Sequence, residues 1–96
     1  MSYKVRVNYT KPNAEVSLHT PSAEYTNLIN TMFDAGKITQ KPVETIDGLN
    51  YTYEMIFANE EAFTEFKSQA AAVDNHNTRA TTCSSNSISY SVEQGV

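Results

Sequence analysis

The spacing of apolar residues in this chain switches from two to 3.6 and back again, and does so twice. Tyr3, Val5, Val7 and Tyr9 alternate with Lys4, Arg6 and Asn8. Period two with β-branched and aromatic residues marks a strand with one buried face, here over 3–10. Lys11-Pro12-Asn13-Ala14 then supplies turn chemistry. Val16 and Leu18 alternate briefly with Glu15, Ser17 and His19, which fits either a short hairpin partner or an extended connection. Tyr25, Leu28, Ile29, Met32 and Phe33 recur at spacings of three and four, the apolar stripe of an amphipathic helix over 21–35. Thr20-Pro21 reads as its cap and first helical residue, and Gly36 closes it.

Two strands follow, 38–46 and 49–57, joined at Asp47-Gly48, a favoured hairpin turn. Pro42 cannot donate to a ladder, so the first of the pair belongs at a sheet edge. Asn59 caps a second helix over 59–73, with Glu60 and Glu61 in its first turn and Phe63, Phe66, Ala70 and Val73 as its inner stripe. Residues 74–86 are polar and aperiodic, which predicts a long loop of the kind that often carries function. Alternation returns over 87–93, with Ile88, Tyr90 and Val92 against Ser87, Ser89, Ser91 and Glu93.

The order β-α-β-β-α-β is the ferredoxin-like arrangement, an α+β fold. Right-handed crossovers give an antiparallel sheet of order 4-1-3-2 with both helices on one face. At 96 residues the chain is expected to form a single domain with one modest core. Ser, Thr and Asn make up 29 residues while Leu occurs three times. The tyrosines are therefore expected to replace leucine in the core, leaving the Ser and Thr for the open sheet face and the loop.

Charge and motifs narrow the functional classes. The net charge is −4, and the seven basic residues are scattered with no two adjacent. Nucleic-acid binding draws its affinity from clustered Lys and Arg, so it is not expected. The lone Cys83 cannot form an intramolecular disulfide. No apolar leader or membrane-length run is seen, which makes a soluble, cytoplasmic protein the expectation. The Asn8 and Asn50 glycosylation triplets both fall in expected strands and read as chance.

No glycine-rich phosphate loop is present. His19, Asp74, His76 and Cys83 form no metal-ligand spacing, so neither metal nor cofactor is expected. His76, Arg79 and Cys83 share the 74–86 segment, but a Cys and a His near one another in sequence carry little specificity for nucleophilic catalysis. The open sheet face is the other candidate site, through Lys4, Arg6, Glu54, Ile56 and Ser89, with Arg6 and Glu54 poised as a cross-strand pair. RNA-recognition domains of this shape expose aromatics there, whereas here the aromatics alternate to the opposite face.

With no catalytic constellation, the first expectation is a non-enzymatic binding or assembly module that forms a homo-oligomer through its sheet. The alternative is a small-molecule binder or cofactor-free enzyme with its pocket at a dimer interface. Some domains of this shape pair their open sheets around such a pocket, and several of those are haem-degrading or cofactor-free oxygenases, an analogy at the level of fold. A concave apolar pocket with Arg6 or His76 pointing inward would favour this alternative.

Overall fold

A computed structural model describes residues 2–96. The elements in chain order are β1 (Tyr3–Thr10), α1 (Ala23–Asp34), β2 (Ile38–Asp47), β3 (Asn50–Phe57), α2 (Glu60–Lys67), α3 (Ala70–Ser85) and β4 (Ser89–Gln94). The protein is an α+β structure in which a four-stranded antiparallel sheet carries three helices. Counted from the β2 edge the strand order is β2-β3-β1-β4, which from the β4 edge is 4-1-3-2. The strand with Pro42 lies at an edge, and its ladder to β3 is interrupted by irregularities on either side of Gln40.

Local chemistry sets the boundaries. The cap of α1 is Ser22, whose hydroxyl accepts the Tyr25 N–H, rather than Thr20. Thr20 and Pro21 therefore precede the helix, because the extended backbone at Ser22 lets its side chain reach back over the first turn. At the other end the Gly36 N–H bonds the Phe33 carbonyl and the Lys37 N–H bonds that of Met32. This paired closure requires a left-handed residue, and Gly36 supplies it with φ +75°. The β2–β3 turn sits one residue later than expected. Asp47 pairs with Asn50, and the loop is Gly48-Leu49, with Gly48 at φ +61°.

The third helix corrects the largest sequence expectation. The helix expected over 59–73 stops at Lys67, and the loop expected over 74–86 is almost wholly the helix α3. The Ser68 hydroxyl and the Gln69 side-chain amide both donate to the Glu65 carbonyl, at 2.7 and 3.2 Å. They occupy the acceptor that the Gln69 N–H would use in a continuous helix, and that N–H bonds Phe66 instead. A new helix then starts at Ala70.

At its far end α3 closes on Ser87, a non-glycine residue at φ +57°, with the Ile88 N–H bonded to the Cys83 carbonyl. Ser87 therefore belongs to a turn and not to the open sheet face. A left-handed conformation costs a side-chain-bearing residue about 1 kcal/mol relative to glycine. Ser87→Gly is expected to raise the urea midpoint, with a gain of about 0.5–1 kcal/mol once the greater freedom of unfolded glycine is deducted. An unchanged or lower midpoint would show that Ser87 is not strained.

The sheet's two faces differ in kind. Tyr3, Val5, Val7 and Tyr9 face the helices, as do Tyr51, Tyr53, Met55 and Phe57 opposite them. Phe57 is fully buried, with its ring centroid 5.2 Å from those of both Phe63 and Phe66. This aromatic cluster, joined by Ile29, Met32 and Ile38, is the main core. A second cluster gathers Tyr9, Cys83 and Ile88, roofed by Val16 and Leu18 of the β1–α1 connection. Residues 15–19 form no strand, since both sides of β1 are already paired.

Candidate functional site

The open face is an internally compensated charge array. Arg6 bonds Glu54 at 3.0 Å and Glu93 at 3.2 Å, and Lys4 approaches Glu54 at 3.6 Å. Asn8 donates a further hydrogen bond to Glu93 at 3.0 Å. The Arg6 guanidinium holds the Glu54 carboxyl below the usual carboxylate range, and Asn8 with Arg6 does the same for Glu93. Ile56 stands opposite Lys4, and Ser89 lies exposed opposite Thr10. The expected pairing of Arg6 with Glu54 is therefore present, Glu93 joins it, and Arg6 points away from the helices.

The concave region lies on the opposite face, where α3 stands over β1, β3 and β4. A cavity of about 400 Å³ opens there, with an adjoining one of about 140 Å³. Val5, Val7, Tyr25, Met55, Asn75 and Arg79 line both. The larger volume falls within the range of pockets that hold small organic molecules, and the lining has the usual apolar character with few polar groups. Exposed Lys67, His76 and Gln94 mark its mouth.

The polar groups come mainly from one stripe of α3. Ala72, Asn75, Arg79 and Cys83 recur at three- and four-residue spacing, so they share the helix face turned toward the sheet. Ala72 and Cys83 are buried in the two core clusters at either end of that stripe. Between them, Asn75 and Arg79 face the gap. Asn75 is only 9% exposed, and its carbonyl lies 2.7 Å from His19 Nε2. The amide oxygen can only accept, so the His19 proton sits on Nε2.

Arg79 is the centre of the site. Its Nη2 lies 2.9 Å from His76 Nδ1, and its guanidinium carbon is 5.5 Å from the Tyr90 ring centroid. A guanidinium only donates, so His76 Nδ1 accepts and its ring proton is left on Nε2. Arg79 Nε is buried with no hydrogen-bond partner among the described residues. Leaving a buried donor unsatisfied costs about 1–3 kcal/mol, so such an atom calls for explanation. Burial pushes the Tyr25 phenol up to about 12 and raises those of Tyr9 and the Cys83 thiol, and in each case the Arg79 charge partly opposes the rise. The Tyr53 phenol is also raised, by burial and by its hydrogen bond to Glu44.

Of the residues singled out in 74–86, the structure brings His76 and Arg79 together and places Cys83 one helical turn beyond Arg79, buried in the second core cluster. Cys83 is reduced, and burial disfavours the thiolate a nucleophile requires. His19, Asp74, His76 and Cys83 do not converge as a metal site among the described residues. Sequence reasoning missed Tyr25, Tyr53 and Asn75. For Asn75 the signal lies in the i, i+4, i+8 spacing of Asn75, Arg79 and Cys83, but only if polar residues are admitted to an inward stripe.

No protein-family model matches the chain, and no curated protein matches its sequence. Among solved structures the chain is similar to Rv0793 from Mycobacterium tuberculosis. The two agree at a TM-score of 0.52 with 10% sequence identity, over 97% of this chain and 93% of that one. That likeness is one of fold. No helix among the described residues is long and apolar enough to cross a membrane.

Proposed function

We propose that the protein binds a small organic molecule in the space between α3 and the sheet. The observation that carries this reading is the cavity of about 400 Å³ whose apolar walls converge on Asn75, His76 and Arg79. A helix packed for stability alone would turn an apolar stripe to the sheet. The stripe of α3 is polar at its middle and stands over a gap, which is the arrangement a pocket requires. This departs from the expected dimer-interface pocket, because the cavity lies within one chain on the face opposite Arg6.

The reading is of a binder rather than a catalyst, since the site brings together no nucleophile with an activating base. The element order and common helix layer support a ferredoxin-like description, with α3 as an added helix. The unpaired, buried Cys83 fits a reducing compartment such as the cytoplasm. Self-association is a second reading, supported by the two open sheet edges and by Val43, which is 50% exposed on β2.

The test uses N-phenyl-1-naphthylamine, an uncharged probe that fluoresces in apolar surroundings. Saturable binding of about one probe per chain, with a micromolar dissociation constant, is expected. Non-saturable partitioning or no enhancement would remove the pocket reading.

A further inference from the structure

We infer that the cavity takes an apolar or aromatic acid, with a single anionic oxygen group held by Arg79 and the hydrocarbon body against Val5, Val7 and Met55. This rests on the pocket reading above and adds the chemical class of the ligand.

Three observations carry it independently of the pocket's size. The first is charge. The chain carries a net charge of −4, yet neither cavity is lined by any Asp or Glu, while Lys67 and Arg79 line the larger one. Glu44 bonds the Tyr53 hydroxyl but lines neither cavity. The second is the lack of a partner. Lys4, Arg6 and Lys37 all pair with carboxylates, whereas Arg79 forms no salt bridge among the described residues. A half-buried guanidinium without a counter-charge is a ready anion receptor, because its planar donors match a carboxylate's two oxygens.

The third observation is the orphaned Nε. One Nη2 hydrogen goes to His76, and the Tyr90 ring lies against the guanidinium, so the group is held in place. The Tyr9 hydroxyl also acts on the guanidinium, yet the buried Nε–H has no acceptor among the described residues. A carboxylate or acidic phenol in the cavity would supply one. Away from Asn75, His76 and the exposed mouth, the wall is hydrocarbon and aromatic, which suits an apolar or aromatic body better than one covered in hydroxyls.

The test compares two probes with one naphthylamine body, the anion 1-anilinonaphthalene-8-sulfonate and the neutral N-phenyl-1-naphthylamine, on wild type, Arg79→Met, Arg79→Lys and Lys67→Gln. Near-ultraviolet circular dichroism of the tyrosines confirms that each variant is folded before it is titrated. Wild type is expected to prefer the anion by about tenfold, the size of one charge-assisted hydrogen bond. Arg79→Met should abolish that preference while changing the neutral probe's affinity less than about twofold. Arg79→Lys should retain part of it, and Lys67→Gln, at the exposed mouth, should lower it by less than Arg79→Met does.

If both probes weaken equally in Arg79→Met, or the wild type shows no preference, the anion assignment falls while the pocket stands. If neither probe binds wild type, the pocket reading itself is overturned and the assignment goes with it.

Discussion

Phe57→Ala is expected to cost a large share of the protein's stability. Phe57 is fully buried at the end of β3, and its ring meets Phe63 and Phe66 from α2. Tyr3 stacks on the same Phe63, with ring centroids 5.3 Å apart, so one ring links two central strands to a helix. Truncating a buried phenylalanine costs about 3–5 kcal/mol, from lost transfer energy and from the cavity left behind. A domain of this size has only about 5–15 kcal/mol in total. The urea midpoint should fall by at least about a fifth, and at the lower end of that stability range no cooperative transition survives. Phe57→Leu should retain most of the stability, because it keeps the hydrocarbon volume. A loss below about 1.5 kcal/mol in Phe57→Ala would show that the aromatic cluster is not the main core.

Val7→Trp should have the opposite effect on stability and a large effect on binding. Val7 lines both cavities from the middle of β1, on the face turned to the helices. In a packed core an added indole forces neighbours aside at about 1–3 kcal/mol. Here the ring enters empty space beside Val5, Met55 and Tyr25, so the urea midpoint should hold or rise. The same ring occupies the volume that a ligand's body would use. The neutral probe's dissociation constant should rise at least about tenfold, a loss of roughly 1.4 kcal/mol. A variant that is strongly destabilised would show the space to be already filled. One that binds the probe unchanged would place the probe elsewhere.

The parts of the fold legible in the sequence are those where burial and period coincide. β1 alternates Tyr, Val, Val and Tyr against charged and polar residues, and its boundaries match the expectation because a neighbouring strand pairs along each side. Gly36 announced the end of α1, since only a left-handed residue closes a helix in that way. The facing of the aromatics and the Arg6–Glu54 pair followed from alternation alone. Ser22 and the Gly48-Leu49 turn were each displaced by a residue or two, because several residues there could fill the same role and only the folded backbone selects among them.

α3 was hidden for a different reason. Its sequence holds Asp74, Asn75, Asn77, Thr78, Thr81 and Thr82, which are weak helix formers, and its inward stripe is not apolar. A period of 3.6 is visible only where the buried side is hydrophobic. Over the cavity that condition fails, because Asn75 and Arg79 occupy the positions that leucine would hold in a packed helix. The residues that concealed the helix are thus the ones that furnish the candidate site. The sequence places His76 and Arg79 in an expected loop, and the helix explains why they meet, being three apart on one face.

A ligand is expected to enter between α3 and the sheet. Methyl-detected carbon–proton nuclear magnetic resonance, during titration with N-phenyl-1-naphthylamine, tests it most directly. Saturable shifts are expected at the methyls of Val5, Val7 and Met55, which line the cavity, with little change at Ile56 and Val43 on the open face. Shifts confined to Ile56 and Val43, or spread evenly over the whole molecule, would contradict the account.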